Sequence, residues 1–384
     1  MQHFNFPFVS ANADEKALRT EVRAFLKSEL NSGGYTPTAD SWMTSPSPEF
    51  SRKVGAQGWL GMTWPKKYGG QERSMLDRLI VTEELLAAGA PVAAHWIADR
   101  QTGQQIINFG TEQQKQTILP RMAAGESFAA IGMSEPQAGS DLAAVRTKAQ
   151  ATANGWRLNG RKIWSSGAHI CDYMIVLART SPADGRNRQV GLSQFLVPLK
   201  TEGVTISGIS DICGHVHFNE TLFEDVELER DALLGTEGNG WAQCMGELGL
   251  ERSGPERFLS SFILLELTLN NLRGKLDDQG MTLVGQLIAR LNALRTMSRS
   301  IARQISNGIS SDTEAALVKS LGNALERDVV STVRRLLGPL AKSDWPNNLE
   351  AMLNDAVMKL PASTLRGGTT EILRGIVARQ LGIR

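Results

Sequence analysis

Apolar residues recur at three- and four-residue spacing through the first third of the chain, which is typical of amphipathic helices. The stripes are Leu18, Val22, Phe25, Leu26 and Leu30, and then Leu76, Leu79, Ile80, Leu85 and Leu86. Ser47 followed by Pro48 predicts a helix start. Thr111 and Gln114 form a capping-box pattern ahead of a further helix. Residues 1–127 are therefore predicted to form an N-terminal helical domain.

From about residue 128 the pattern changes to short runs rich in β-branched and aromatic residues. The runs are DYMIVLA, SQFLVPL, GVTISGI and ETLFEDVEL. The pairs Asn154-Gly155 and Asn159-Gly160 are turn signals of the β-hairpin kind. Closely spaced strands with such turns predict a compact antiparallel β-domain over residues 128–234.

Helical spacing returns after about residue 240. Its stripes are Phe258, Phe262, Leu265 and Leu269, and then Leu283, Leu287, Ile288, Leu291 and Leu294. The stretches 312–337 and 365–384 also have helical character. Residues 235–384 are thus predicted to form a C-terminal helical domain, and the α, β, α order makes the fold α+β.

Composition narrows the class of protein. A chain of 384 residues with 41% hydrophobic and 21% charged residues is ordinary for a globular protein of two or three domains. The net charge of +1 gives no sign of nucleic-acid binding. The start has no signal-peptide pattern, and no apolar run approaches the length of a membrane span. We therefore expect a cytoplasmic protein that binds neither nucleic acid nor membrane.

Metal-ligand patterns are weak. Cys171, Cys213 and Cys244 lie far apart and form no CxxC pair, so neither a zinc site nor a disulfide framework is predicted. His215 and His217 fit one strand face, but two imidazoles alone are poor evidence for a metal. No metal is expected.

Two segments at the change from helix to strand suggest a ligand site. The stretch GMSEPQAGSD, residues 132–141, is rich in small and hydroxyl residues, so it can present backbone N–H groups to a flat ring or a phosphate. The stretch RKIWSSGAH, residues 161–169, adds a tryptophan and two serines. Alone, the first segment could be an ordinary turn, and a tryptophan at a strand end is more often part of the core than a cofactor contact. The two segments together, in this order and at this separation, favour a site.

Taken together, six segments resemble the acyl-CoA dehydrogenase family in content and order. They are WPKKYGG (64–70), FGTEQQKQTILPRMAAGE (109–126), MSEPQAGSD (133–141), KIWSSGA (162–168), FEDV (223–226) and GGTTEILRGIVARQLG (367–382). The resemblance spans nearly the whole chain. It implies an N-terminal helical domain, a central antiparallel β-domain and a C-terminal four-helix bundle, which agrees with the α, β, α order.

The resemblance implies an FAD enzyme that converts an acyl-CoA thioester to the trans-2-enoyl-CoA and passes electrons to an electron-transfer flavoprotein. Matching positions imply that cofactor contacts come from Ile131, Met133, Ser134, Ser140, Trp164, Ser165, Ser166, Thr369, Thr370 and Glu371. Within that set, Trp164 would cover the flavin ring, and the last three residues would lie against the pyrophosphate and ribose. The substrate contacts implied in the same way are Ser140, Arg252, Gly367 and Gly368.

The catalytic base departs from the common pattern of the family. Many members carry it as a glutamate directly before the Gly-Thr of the last motif, where this chain has Gly367. Other, bacterial-type members carry it on the first helix of the C-terminal bundle, directly before an arginine. That pattern is Glu251-Arg252 here, so Glu251 is the expected base. For Glu247 and Glu256 a solvated charge or a local ion pair is expected instead.

Two segments that the family uses to reach a neighbouring subunit's FAD are replaced. Where members have Arg-x-x-Phe-Gly this chain has NNLRGKLDDQGM, and where they have Gln-x-x-Gly-Gly it has RRLLGPLAKSDW. Members assemble as dimers that pair into tetramers. We therefore expect either a homo-oligomer in which Arg273, Arg334 or Arg335 substitutes, or a heteromer with a related subunit.

Two other functions remain open at this point. One is a same-fold acyl-CoA oxidase or flavin monooxygenase that uses oxygen. The other is a non-catalytic subunit or a nucleic-acid-binding relative. The near-neutral charge and the retained Glu251 favour the dehydrogenase over this last class.

Overall fold

The structure is a computed structural model of the chain. It describes residues 4–185, 187–309, 311–341, 343, 345–346 and 348–383, and for residues 247–251 the backbone alone. The chain divides into two compact units. We call them the helical unit (Met1–Ser45, Ser74–Val92 and Gly249–Arg384) and the sheet unit (Pro46–Arg73 and Ala93–Leu248). The division into domains at 1–127, 128–234 and 235–384 stays a prediction.

Helices occupy both ends of the chain. In chain order they are α1 (Ala13–Asn31), α2 (Ser41–Thr44), α3 (Pro48–Ala56), α4 (Met75–Ala87), α5 (Ala93–Ile97), α6 (Gly103–Phe109), α7 (Glu112–Ala123), α8 (Gly240–Arg252), α9 (Phe262–Asn271), α10 (Asp278–Ser306), α11 (Asp312–Leu337), α12 (Leu349–Lys359) and α13 (Thr370–Gln380). The predicted helix starts at Ser47 and Thr111 are confirmed, since each side chain caps its helix by accepting a backbone N–H.

Along the sequence, the strands of the sheet unit come between the two helical regions. They are β1 (Ala129–Gly132), β2 (Lys148–Ala151), β3 (Gly155–Ser166), β4 (Tyr173–Arg179), β5 (Leu192–Pro198), β6 (Val204–Ser210), β7 (Val216–Glu229) and β8 (Leu233–Leu234). Among the described residues they form one sheet in the order β6-β7-β3-β2-β4-β5-β8, with β1 paired to β4. The α+β fold class with a central β-domain is confirmed. The pairings β1–β4 and β2–β4 are parallel, and the other pairings are antiparallel as predicted.

One of the two predicted hairpin turns is wrong. Asn154-Gly155 does lie between β2 and β3, but Asn159-Gly160 lies inside β3, where the register against β7 shifts. A Cβ on Gly160 would lie 2.6 Å from the Cα of Thr147, so only glycine fits there. The Asn159 side chain is bonded to Asp225 instead of starting a turn. The glycine thus makes a β-bulge that keeps β3 continuous toward Trp164.

Buried carboxylates join the helices of the helical unit. Glu83 and Glu84 on α4 are both buried, and they accept hydrogen bonds from Arg19 and Arg23 on α1 and from Arg295 on α10. A buried carboxylate that loses its partner is strongly destabilising, because the charge is then left uncompensated. These pairs hold α1, α4 and α10 together.

The last predicted helix is shorter than its pattern suggests. Helix was expected over residues 365–384, but α13 starts at Thr370, because Gly367 and Gly368 have φ values of +68° and +104°. Such left-handed backbone cannot continue a helix. Thr369 then caps α13 by accepting the N–H of Ile372.

Across the described residues, none of the helices combines the length and the apolar composition that a bilayer crossing requires.

Candidate active site

The two segments singled out in the sheet unit lie side by side. Ile131 is a half-buried residue of β1, and Met133 and Ser134 follow directly after this strand. The backbone N–H of Ile163 donates to the carbonyl of Ser134 at 3.0 Å. The ammonium of Lys162 donates to the carbonyl of Met133, also at 3.0 Å. The structure therefore brings residues 133–134 together with the strand that carries Trp164.

A buried ion pair supports this junction from behind. The Nζ atom of Lys162 lies 2.8 Å from the carboxylate of Glu135, and both side chains are almost fully buried. The same carboxylate accepts the backbone N–H groups of Arg146 and Thr147. Burial by itself would raise the pKa of Glu135, but the Lys162 charge and these hydrogen bonds outweigh it and hold the pKa at about 2. Burial lowers the pKa of Lys162 to about 8 despite Glu135, so the pair is charged at neutral pH.

Trp164 has an unusual backbone. Its φ is +65°, and the register between β3 and β7 shifts between Lys162 and Ser165. The indole is 54% exposed, with its ring edge against Phe218 at a centroid distance of 5.8 Å. A large residue in left-handed backbone is strained, and such strain often marks a ligand site. The distortion presents an apolar face at the protein surface.

The four predicted serines have different environments, and Ser134 is half-buried. Ser166 is half-buried and Ser140 is exposed. Ser165 is fully buried, and in the described part of the chain its Oγ has no hydrogen-bond partner. Ser165 therefore faces the interior of the sheet unit, whereas Trp164 is exposed.

In the helical unit, the remaining predicted residues surround the turn at Gly367 and Gly368. Three consecutive carbonyls of this turn accept hydrogen bonds from cations. The Nζ atom of Lys319 on α11 donates to the carbonyls of Arg366 and of Gly368, the latter at 2.5 Å. The Nε atom of Arg252 donates to the carbonyl of Gly367 at 3.1 Å. Charge-assisted bonds of this kind are stronger than neutral ones, so the turn is firmly held.

The side chain of Arg366 anchors the same turn from its other end. Its guanidinium makes two parallel hydrogen bonds to the carboxylate of Asp40, at 3.0 and 2.8 Å. It also lies over the ring of Trp42 at 4.5 Å. A bidentate pair stacked on an aromatic face fixes both the position and the orientation of the arginine.

The residues after the turn form the N-terminus of α13. Thr369 is its cap, and Thr370 and Glu371 lie in the first turn, where Thr370 is half-buried and Glu371 is exposed. Hydrogen bonds from its own backbone N–H and from the Thr369 side chain lower the pKa of Glu371. The N–H groups at such a helix start favour anions.

The expected base is only partly visible. Glu251 lies on α8 directly before Arg252, but its side chain, like that of Glu247, is outside the described residues. Arg252 is buried. Glu256 is buried beside Arg257 at 3.8 Å, so the expected local ion pair is present and the charge is not solvated.

Lys319 and the Glu135–Lys162 pair are not among the residues predicted from the sequence. A signal existed for Lys319, because α11 buries Ala315, Val318, Gly322 and Val329 on the same stripe as this lysine. A lysine at a core position needs acceptors, which marks it for attention. For Lys162 and Glu135 the residues lie 27 positions apart, and only the folded sheet brings them together.

Comparison with known proteins identifies the class of protein. Three family profiles match in order: "Acyl-CoA dehydrogenase, N-terminal domain" over residues 12–126, "middle domain" over 130–226 and "C-terminal domain" over 275–382. The chain therefore belongs to the acyl-CoA dehydrogenase family. It is an oxidoreductase of the acyl-CoA dehydrogenase type, and the family resemblance found in the sequence is confirmed.

Individual relatives and solved structures support the same family. "Acyl-CoA dehydrogenase IpdE1" of Mycobacterium tuberculosis is 32% identical over 354 residues, which is 87% of each chain. A solved structure described as "Tcur3481-Tcur3483 steroid ACAD" matches with a TM-score of 0.85 and 26% identity, covering 98% of this chain and 99% of that one. The ChsE4-ChsE5 complex from Mycobacterium tuberculosis matches with a TM-score of 0.76 and 27% identity, covering 98% and 99%.

Membership implies a flavin cofactor, and the sheet unit has groups suited to one. A flavin ring offers a flat apolar face and a polar edge. The exposed indole of Trp164 suits the face, and the half-buried hydroxyls of Ser134 and Ser166 suit the edge. The residues present therefore fit the group.

Replacement of Glu135 tests the buried pair. We expect Glu135→Gln to lower the free energy of unfolding by about 3–5 kcal/mol at pH 7, because it leaves the Lys162 charge buried without its partner. The folded-state pKa of Glu135, about 2, is below its ordinary value of 4.5, so the wild-type advantage is full above pH 4.5 and falls as the pH drops toward 2. The gap between wild type and variant should shrink by about 2 kcal/mol between pH 7 and pH 3.

Urea denaturation across this pH range measures both effects. Glu227→Gln is the control, because Glu227 pairs with Arg157 at the surface of the same unit. Exposed pairs contribute about 0–1 kcal/mol, so the control should change little. A pH-independent gap for Glu135→Gln would contradict the assignment.

Proposed function

We propose that this chain uses FAD to oxidise the Cα–Cβ bond of an acyl-CoA thioester to the trans-2-enoyl-CoA, with Glu251 as the base. The observation that supports it most is the 3.1 Å hydrogen bond from Arg252 to the carbonyl of Gly367. It places the residue after Glu251 against the position at which many family members carry their base. A carboxylate moved from 367 to 251 would thus stay in the same neighbourhood of the helical unit.

The backbone at Gly367 gives a physical reason for the move. Its φ of +68° favours glycine, and an L-residue there costs roughly 1 kcal/mol or more. A glutamate at 367 would therefore strain the turn that Lys319 and Arg252 hold. A base on α8 avoids that strain.

The reaction removes two hydrogens. Glu251, as a carboxylate, takes the α-proton and becomes a carboxylic acid. The acceptor for the β-hydrogen and its electron pair would be a bound FAD, held by the residues proposed below. Negative charge develops on the thioester oxygen as the α-proton leaves, and this charge needs a donor placed in advance. We assign that donor to the backbone N–H of Gly367.

Lys319 prepares this donor. The carbonyl of Arg366 and the N–H of Gly367 belong to one planar peptide unit and point in opposite directions. A cation bound to the carbonyl therefore fixes the direction of the N–H, and it also polarises the unit so that the N–H donates more strongly. Lys319 is a positioning residue in this proposal, since it acts through the peptide bond.

FAD contacts are proposed for both units. In the sheet unit they are Ile131, Met133, Ser134, Ser140, Trp164, Ser165 and Ser166. In the helical unit, Thr369, Thr370 and Glu371 begin α13, and a helix start suits a diphosphate. We propose Ser140, Arg252, Gly367 and Gly368 as the residues that bind the thioester end of the substrate. Because Ser165 is buried, its hydroxyl is the least accessible of these.

An electron-transfer flavoprotein is the proposed acceptor. The rival is an oxidase that passes electrons to oxygen. Steady turnover in air without an added acceptor would favour the oxidase, and turnover that depends on an added electron-transfer flavoprotein or dye would favour the dehydrogenase.

We propose a branched or ring-bearing acyl group as the substrate. Gly367 has no side chain to fill the space beside the reacting carbons. The similarity to a structure described as a steroid ACAD supports the same class of substrate.

We also propose a heteromer with a related subunit. Two similar solved structures are described by two protein names each, which supports this assembly. In a homo-oligomer, the exposed Arg273, Arg334 and Arg335 would be the substitute phosphate ligands.

Lys319→Met should lower kcat by about tenfold or more with a smaller change in KM, because the thioester donor is weakened mainly when charge develops. It should also destabilise the chain by about 2–4 kcal/mol, since two carbonyls lose their donor. Arg327→Met removes an exposed positive charge from the same helix and should change neither quantity much. Equal losses in kcat for both variants, measured by stopped-flow flavin reduction and steady-state assay, would contradict the role of Lys319.

Glu251→Gln keeps the size and hydrogen-bonding ability of the side chain but cannot accept the α-proton. Flavin reduction in anaerobic single turnover should slow by about 10²–10⁴-fold, while substrate binding is largely kept. Glu237→Gln, an exposed change ahead of α8, serves as the control. A normal reduction rate in Glu251→Gln would show that the base lies elsewhere.

Substrate class and assembly are tested in one experiment. The chain is purified alone and after co-expression with a related subunit, and each sample is bleached anaerobically with straight, branched and ring-bearing acyl-CoAs. We expect low flavin occupancy for the chain alone, recovery on co-expression, and fastest bleaching by the bulky thioesters. Full occupancy with fast turnover as a homo-oligomer would rule out the need for a partner, and preference for a straight medium chain would rule out the bulky substrate.

A further inference from the structure

Metal-ligating side chains cluster at the turn between β6 and β7. Asp211, Cys213 and His215 alternate along this turn, and their ligand atoms all lie within 4.8 Å of one another. In the sequence, the histidines and the cysteines were each weak metal signals by themselves, and no metal was expected. The fold adds a carboxylate and a thiol at the same place.

The carboxylate of Asp211 is held in position by the turn itself. Its Oδ1 atom accepts the backbone N–H of Cys213 at 2.8 Å and that of His215 at 2.9 Å. The backbone closes around it, with the N–H of Asp211 donating to the carbonyl of His215 at 2.9 Å. A ligand oriented by such hydrogen bonds binds a metal with little reorganisation.

The other oxygen of Asp211 faces two imidazoles. Its Oδ2 atom lies 3.8 Å from Nδ1 of His215 and 3.6 Å from Nδ1 of His217. Bond lengths of about 2.0–2.3 Å to tetrahedral zinc put neighbouring donors about 3.4 Å apart. The two separations from the carboxylate to the imidazoles are close to that value, and the ligand atoms of Asp211, Cys213 and His215 all lie within 4.8 Å of one another. His215 is at the surface and His217 is mostly covered, which leaves the turn open to solvent on one side.

We propose that the β6–β7 turn binds a divalent transition metal of the zinc class, with Asp211, Cys213 and His215 as ligands. The donor set of one thiolate, imidazole nitrogen and a single carboxylate suits zinc and its neighbours, whereas Mg²⁺ and Ca²⁺ require oxygen ligands. None of these residues is assigned to proton removal, so the proposal does not depend on the assignment of Glu251.

The position of this turn gives the metal a structural consequence. The N–H of Gly167 donates to the carbonyl of His217 at 2.8 Å, and the Phe218 ring lies between His217 and Trp164, at centroid distances of 4.2 and 5.8 Å. A metal on the turn would therefore stiffen the start of β7 beside the Trp164 segment. Slower hydrogen exchange of residues 211–217 should accompany binding.

Equilibrium dialysis of the flavin-loaded protein against buffered Zn²⁺, with elemental analysis of metal per chain, tests the proposal. Wild type should bind about one zinc per chain. Asp211→Asn keeps an oxygen that can accept the two backbone N–H bonds but removes the anionic ligand. It should weaken binding at least about tenfold, as should Cys213→Ser and His215→Gln, because even supporting groups of metal sites cost about 10–100-fold when removed.

Cys171→Ser is the matched control. Cys171 is a half-buried thiol of the same unit outside the turn, and serine can still donate to the carbonyl of Gly167 as the thiol does. This variant should bind zinc and slow hydrogen exchange as wild type does. Three results would overturn the proposal: no stoichiometric zinc in wild type, equal binding by wild type and the three ligand variants, or an equal loss in Cys171→Ser.

Discussion

The glycine turn of the helical unit depends on one buried cation. Lys319 is fully buried in α11, and an ammonium in that position is tolerated only if strong acceptors surround it. The acceptors are the carbonyls of Arg366 and Gly368, which a left-handed glycine turn cannot satisfy by regular helix bonds. The carbonyls of the turn thus replace water around the ammonium, and the ammonium supplies the hydrogen-bond donors that these carbonyls need. Removing either one leaves the other uncompensated.

This dependence constrains where a catalytic carboxylate can be. The turn keeps its shape because residues 367 and 368 are glycines with positive φ and because Arg252 binds the carbonyl between the two that Lys319 binds. In the proposed function, the side-chain chemistry lies at the end of α8, and the turn supplies an oriented backbone N–H. A base on α8 would leave the space beside position 367 free for a wide acyl group.

Much of the fold follows from local patterns. Leu18, Val22 and Leu26 are buried on α1 as their spacing predicts, because helical period and burial are tied together by core packing. Asn159-Gly160 gives a wrong turn prediction because tight turns and β-bulges both favour glycine. The contact with Thr147 that excludes any other residue at position 160 arises only when the strands pair. The left-handed backbone of Trp164 has no local signal at all, since the register against β7 imposes it.

The two buried lysines show how similar residues can serve different ends. Lys162 has a carboxylate partner in Glu135, so its charge is neutralised within the sheet unit and the pair acts as a rigid joint between β1 and β3. Lys319 donates its hydrogen bonds to peptide carbonyl oxygens, so its positive charge polarises the peptide units that carry them. An ammonium that only had to fill space could be exchanged for methionine with little loss. One that polarises the Arg366–Gly367 peptide cannot, because no apolar side chain strengthens the N–H at the far end of that unit.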